Sequence, residues 1–189
     1  METLLGIAVG IGLSAACGFR VFVPLLVMNL ASLSGLLHLS PGFAWIGSYY
    51  ATVAFSAATI AEVLGYCIPW LDHVLDLVAT PAAIIAGTIA TASMVTDISP
   101  FLKWTLALIA GGGIAGIVQG TTVALRATSS ASTAGIGNPL FSTLELVGSI
   151  FTALFAILVP ILCLALIAIF CIYVIRKASR FMLKKTKLT

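Results

Sequence analysis

The apolar run from Leu140 to Ile175 constrains the fold more than any other feature of this chain, because Glu145 is its only charged residue. A helix of about 20 apolar residues crosses the roughly 30 Å hydrocarbon core of a bilayer, and this run is much longer. It therefore predicts two membrane helices that meet in a tight hairpin near Pro160, or one helix that kinks there and continues along the interface.

The composition of the whole chain agrees with a membrane location. Of the 189 residues, 61% are hydrophobic and 8% are charged, whereas about a quarter of the residues in soluble domains are charged. We predict an all-α, polytopic transmembrane helix bundle that forms a single domain over residues 1–189. The hairpin at Pro160 gives six spans with both termini in the cytoplasm, and the kinked helix gives five spans with the N-terminus outside.

Most of the basic residues lie in the C-terminal tail, residues 176–189. By the positive-inside rule this tail is cytoplasmic. A basic cluster of this kind also attracts anionic headgroups, so membrane lipids are expected partners. Nucleic-acid binding is not expected, because the cluster directly follows a hydrophobic segment.

The first span, Leu4 to Leu30, contains Gly18, Arg20 and Pro24, which together predict a kink or break. An arginine within a span costs roughly 3 kcal/mol or more unless it pairs or faces water. Arg20 is therefore a candidate functional residue.

The second span, Trp45 to Cys67, carries Glu62 near its end. Apolar and polar positions then alternate at helical spacing, which predicts a short amphipathic helix in the interface that contains Asp72 and Asp76. The third span is expected to begin near Pro81, since proline is well placed at a helix start.

The fourth span, Phe101 to Arg126, is rich in glycine, which favours close helix packing and a homo-oligomer. A hydroxyl-rich segment follows, Arg126 to Glu145, which we predict to be a loop. At the membrane surface it would be a connector, whereas within the membrane it would line a binding site. Asn138 can cap the next helix, whose N-terminus could face an anionic group, and Glu145 would suit a cation or a proton. The candidate residues of this segment are Ser130, Ser132, Thr133, Gly137, Asn138, Ser142 and Glu145.

Arg20 and Glu62 complete the candidate site, because an ionisable residue inside a membrane is by default a functional hypothesis. A structural ion pair between helices and a solute-binding role are equally open for these two residues. Asp72 and Asp76 lie one helical turn apart and could hold a cation together with Glu62. The solvated face of an interfacial helix is the favoured interpretation of the two aspartates.

Residues 1–99 and 100–175 share an order of features, in which a glycine-rich helix is followed by an arginine, a turn and a glutamate. Arg20 corresponds to Arg126, and Glu62 to Glu145. Three helices in each half would make an inverted repeat, an architecture in which transporters place the substrate site at the repeat interface. A true repeat and chance similarity between apolar sequences are equally open.

Enzymatic motifs are absent from the sequence, which has no HExxH, no CxxC and no nucleophile elbow. We therefore expect a protein that is not an enzyme and has neither a metal site nor a cofactor.

Several longer motifs resemble those of a known family. They are GLSAACGFRVFVPLL ending at Leu26, the acidic and proline positions from Glu62 to Asp72, DISP from Asp97 to Pro100, and the block that ends at Glu145. In these motifs the chain resembles the bacterial membrane proteins labelled domain of unknown function 4126. The GFR form is similar to cyanobacterial members, which implies a bacterial inner (plasma) membrane or a thylakoid membrane. The family brings no established activity.

The function expected from these features is a membrane transporter or channel for a small solute or ion of unknown identity. Its site would be formed by the segment from Ser130 to Glu145 together with Arg20 and Glu62. The alternative is a non-transporting membrane protein that organises lipids or assembles with a membrane complex through its glycine faces and basic tail.

Overall fold

The computed structural model describes residues 2–66, 68–133 and 137–186, and every regular element in these residues is helical. The predicted all-α class is therefore confirmed. The elements are α1 (Glu2–Cys17), α2 (Phe22–Leu33), a 3₁₀ helix (Pro41–Gly47), α3 (Tyr49–Gly65), α4 (Pro69–Met94), α5 (Pro100–Leu106), a π-helical segment (Ala107–Gly112), α6 (Gly113–Thr133), α7 (Asn138–Leu158) and α8 (Pro160–Thr186).

Four stretches of helix are long and apolar enough to cross a bilayer, judged by length and composition in the described residues. Two shorter helices, Thr3–Cys17 and Phe22–Leu33, are also apolar. The chain is therefore an integral membrane protein built as a helix bundle. The four long stretches are Leu75–Met94, Pro100–Ser132, Pro139–Leu158 and Pro160–Arg180.

Helix α1 lies at the centre of the bundle, in contact with α4, α7 and α8, and every residue from Ala8 to Gly18 is buried. Glycine makes the approach of α4 possible, because a Cβ atom added at Gly10 would lie 2.9 Å from the Cα atom of Thr91. Small residues at such contacts let membrane helices pack at short range. Ser14 strengthens the same contact with a hydrogen bond of 2.5 Å to the carbonyl of Gly87.

The predicted interruption of the first span is confirmed, since α1 ends at Cys17 and α2 begins at Phe22. The chain also reverses direction there. Met28 of α2 contacts Ser93 near the end of α4, and the adjacent Met94 lies beside Gly6 and Gly10 near the start of α1. α2 is therefore antiparallel to α1, and the first apolar segment forms a hairpin instead of one kinked span.

Two predicted boundaries are wrong. The amphipathic segment with Asp72 and Asp76 and the third span form one continuous helix, α4, so Pro81 lies inside a helix and not at its start. The segment from Arg126 to Glu145 is also mostly helical, because α6 continues to Thr133 and α7 begins at Asn138.

The hydroxyl groups of this segment are compatible with helical structure. Thr128 donates to the carbonyl of Ala124 and Ser132 to that of Thr128, each at 2.8 Å, so these side chains are satisfied within α6. A helix also pairs the backbone groups, which an extended loop would leave unpaired in an apolar environment.

Of the two alternatives predicted at Pro160, the structure has the hairpin. α7 ends at Leu158 and α8 begins at Pro160, and Ala156 and Cys163 both lie next to Gly12 of α1. The two helices therefore pack side by side on α1, as the hairpin requires, and they do not continue as one kinked helix.

Candidate functional site

The first residues of α2 are held by a carboxylate from another helix. Glu62, near the end of α3, accepts hydrogen bonds from the main-chain N–H groups of Val21 (2.8 Å) and Phe22 (3.1 Å). The N-terminal amides of a helix have no partner within that helix and carry a partial positive charge, so a carboxylate stabilises them. Pro24 lies in the first turn of α2, where a missing N–H group costs little. Glu62 therefore fixes the place where the chain breaks.

Arg20 lies in the break between α1 and α2 and is almost fully buried, with 1% of its surface exposed. Its Nη2 atom donates to the main-chain oxygen of Ser142 (3.0 Å) and to the Ser142 hydroxyl (2.5 Å). The same atom lies 3.6 Å from a carboxylate oxygen of Glu145. The Nε and Nη1 atoms of Arg20 have no hydrogen-bond partner among the described residues.

Arg126 of α6 joins two acidic residues from different helices. Its Nε atom donates to Glu145 Oε1 at 3.1 Å and its Nη2 atom donates to Glu145 Oε2, which makes a bidentate pair with α7. Its Nη1 atom lies 2.6 Å from the carboxylate of Asp76 on α4. Asp76 therefore belongs to a buried ion-pair network, and its interpretation as part of a solvated interfacial face is wrong.

The ring of Tyr66 contacts both arginines. The guanidinium carbon of Arg20 lies 4.0 Å from the ring centroid and that of Arg126 lies 4.2 Å from it. Both distances are in the range of a cation–π interaction. The Tyr66 hydroxyl donates to Asp76 at 3.2 Å. We call Arg20, Glu62, Tyr66, Asp76, Arg126 and Glu145 the charged cluster.

The charged cluster lies at one end of the bundle, which we call the break end. Helices α1, α3 and α6 approach their C-termini there, and α2, α4 and α7 begin there. Helix α8 also runs towards the break end, because its residue Phe170 lines the same cavity as Phe19 at the break. Arg176 follows Phe170 by six positions, or about 9 Å along a helix, so the break lies deeper than the first basic residue of the tail.

One cavity reaches the charged cluster from outside. It has a volume of about 520 Å³ and lies between α4 and α6, where Asp76, Thr80 and Val123 are among its lining residues. The side chain of Asp76 is 12% exposed. Asp76 is therefore the member of the cluster nearest to an opening.

The structure brings together only part of the candidate site. Ser142 contacts Arg20, and Glu62 and Glu145 lie in the charged cluster. Ser132 is exposed on α6 away from the cluster, Ser130 is half-buried, and Gly137 precedes the first residue of α7. The side chains of Asp72, Thr133 and Asn138 lie outside the described part of the chain.

Tyr66 was missed by the sequence interpretation. It follows Glu62 by one helical turn, which places both side chains on one face of α3, and that spacing could have indicated it. Arg126 is buried between two carboxylates, those of Asp76 and Glu145. Within the described residues, no group of three or more His, Cys, Asp or Glu side chains is arranged to hold a metal ion.

The fold and the charged cluster define an integral membrane helix bundle with a buried ionic site at a helix break. The chain belongs to the family described as Domain of unknown function (DUF4126), whose model matches residues 7–180. The matched range contains the whole charged cluster. No curated protein and no solved structure matches the chain.

Proposed function

We propose that the protein is a membrane transporter or channel for a small solute or ion and that the charged cluster is its binding site. The observation that carries this proposal is the position of Arg20, which is buried at a helix break and has two nitrogen atoms without a partner among the described residues. Ionisable groups at such depth mark transport pathways in many membrane proteins.

The break between α1 and α2 supports the same proposal. Transporters often bind their substrates where a membrane helix is discontinuous, because the exposed backbone groups and helix ends can contact the solute. Here the amides of Val21 and Phe22 are held by Glu62 from α3. A movement of α3 relative to α2 would release these amides, which gives the site a means of alternating between two states.

The cost of the charged cluster also favours a role in binding. Two carboxylates and two guanidinium groups are buried in it and the Asp76 side chain is 12% exposed, and buried ion pairs are often no more stabilising than apolar residues of the same size. A bundle that needed only stability could be held together by apolar contacts.

A second candidate function is a non-transporting protein that organises lipids or assembles with another membrane complex. The observation in its favour is that Glu145 lies between Arg20 and Arg126, as expected for a structural ion pair. In this case the charged cluster would only lock α6 and α7 to the break. The basic tail would then provide the contact with lipids or with a partner.

Orientation and assembly are part of the proposal. The positive-inside rule places the end of α8 in the cytoplasm, so the break end would face the cytoplasm as well. The exposed apolar surface of α7 and α8 would contact lipid or a second copy of the chain. The internal repeat of residues 1–99 and 100–175 and its inverted arrangement remain predictions, as does a bacterial inner or thylakoid membrane location.

A flux assay tests the transport proposal. The purified protein is reconstituted in vesicles, and the passage of a panel of small ions and polar solutes is followed by ion-sensitive dyes and by osmotic swelling. We expect flux of at least one solute, and at least a tenfold loss in Glu62→Gln and Glu145→Gln. Asp97→Asn is the matched control, because Asp97 is an exposed carboxylate outside the charged cluster. Flux that is the same in all four proteins would contradict the proposal.

A further inference from the structure

The hydrogen-bonding capacity of Arg20 is only partly used. A guanidinium group has five N–H donors, and in Arg20 only those of Nη2 have partners among the described residues. The side chain has no exposed surface from which it could reach bulk water. Buried donors of this kind are rare in native proteins, because each one without an acceptor costs about 1–3 kcal/mol.

The neighbouring acids do not supply the missing acceptors. Glu145 uses both carboxylate oxygens for Arg126, and its contact with Arg20 is a single 3.6 Å approach to Nη2. Glu62 uses both of its oxygens for the amides of Val21 and Phe22. Glu145 compensates part of the charge of Arg20 from 3.6 Å, but neither carboxylate accepts a hydrogen bond from its Nε or Nη1 atom.

Asp76 pairs with Arg126, and Glu145 contacts both arginines through the same carboxylate oxygen. A ligand at Arg20 would meet a guanidinium group with open donors in surroundings of low dielectric constant, where a charged hydrogen bond is strong.

We infer that Arg20 binds a small monovalent anion, either free or as the carboxylate group of a solute, through Nε and Nη1. As a statement about the transported substrate, this inference rests on the proposed function. As a statement about a binding site, it rests on the geometry of Arg20 alone. An anionic ligand would satisfy the open donors through charge-assisted hydrogen bonds.

Anion binding can be measured without any transport assay. The Tm of the full-length protein in detergent is recorded against increasing chloride, formate or acetate, and Arg20→Gln in the same salts controls for the effect of ionic strength. A ligand that binds only the folded state raises the Tm with saturation. We expect a saturable rise with at least one of the three anions, and a loss of that rise in Arg20→Gln.

Two further variants distinguish a loss of anion binding in Arg20→Gln from a simple folding defect. Arg20→Lys keeps a positive charge but lacks the Nε and Nη1 donors, so we expect at least a tenfold weaker apparent affinity. Asp97→Asn should bind the anion as the wild type does. A Tm that is the same in all salts, or that rises equally in Arg20→Gln and the wild type, would show that water alone satisfies Arg20 and would overturn the inference.

The two proposals fail in different ways. Saturable anion binding in a protein that carries no solute across vesicles would contradict the transport proposal and leave the anion site standing. Flux that is lost in Glu62→Gln and yet is accompanied by no Arg20-dependent anion binding would overturn the anion site and leave the transport proposal standing.

Discussion

Arg126 donates hydrogen bonds from Nε and Nη2 to the two carboxylate oxygens of Glu145, so α6 and α7 are joined inside the bundle by a bidentate ion pair. Such a pair has a fixed geometry and needs both partners, because either ion alone would be buried without compensation. Asp76 on α4 and Ser142 on α7 extend the network to the other helices of the break end.

The pair predicts a strong coupling between two substitutions. Glu145→Gln or Arg126→Gln alone should lower the free energy of unfolding by about 3–5 kcal/mol, because each leaves a buried charge. The double variant should lose less than the sum of the two. Unfolding in mixed detergent micelles, analysed as a double-mutant cycle, measures this coupling. Additive losses would show that the two side chains do not interact.

Tyr66 predicts a difference between two conservative substitutions. Tyr66→Phe keeps the ring in contact with the two guanidinium groups and removes only the hydrogen bond to Asp76, so it should cost about 1 kcal/mol. Tyr66→Leu also removes both cation–π contacts and should cost about 1–2 kcal/mol more. The same unfolding assay compares the two variants. Equal losses would mean that the ring does not stabilise the arginines.

The hydrogen bonds of Glu62 should protect the main-chain amides of the break from hydrogen exchange. In Glu62→Gln only one side-chain oxygen remains to accept a hydrogen bond. The side-chain NH2 group would face a main-chain N–H group, and two donors cannot pair. We expect the hydrogen-exchange rate of the peptide that contains Val21 and Phe22 to rise at least tenfold. The rate of the distant peptide that contains Asp97 should not change. Unchanged exchange at the break would contradict the role of Glu62 as its cap.

Gly10 predicts a steric effect at the contact of α1 with α4. A Cβ atom at Gly10 would lie 2.9 Å from the backbone of Thr91, so Gly10→Ala should force the helices apart and destabilise the protein by about 1–3 kcal/mol. Gly120→Ala is the matched control, because an added Cβ meets nothing within 4 Å. The control should be neutral or stabilising by up to about 1 kcal/mol. Similar Tm values for both variants would contradict the close packing.

At Pro160 the sequence left a hairpin and a kinked helix open. It was sufficient for the membrane class and for an interruption of the chain near Arg20. These features depend on local properties, namely long apolar runs and the positions of proline, glycine and a buried charge. The reversal of α2 could not be predicted, because it depends on contacts of Met28 with α4 that are distant in sequence.

The hydroxyl-rich segment shows a different limit. Its serines, threonines and glycines are typical of loops in water, but on the surface of α6 the hydroxyls of Thr128 and Ser132 bond to the carbonyls of the preceding helical turn. The role of Asp76 was missed for a related reason. Its partners Tyr66 and Arg126 come from other helices, and the amphipathic pattern of α4 does not reveal them.

Access of water to Ser142 tests the central claim most directly, because this residue contacts Arg20 in the charged cluster. In a background without the four native cysteines, Ser142→Cys is treated with a membrane-impermeant thiol reagent in sealed vesicles. Ser132→Cys, which is exposed at the end of α6, is the positive control, and Ser149→Cys, which is fully buried beside Ala16, is the negative control. A transport site predicts that Ser142→Cys is labelled and that a bound anion or solute slows the labelling. A Ser142→Cys that stays as unreactive as Ser149→Cys, while Ser132→Cys reacts fully, would contradict the account and favour a sealed structural cluster.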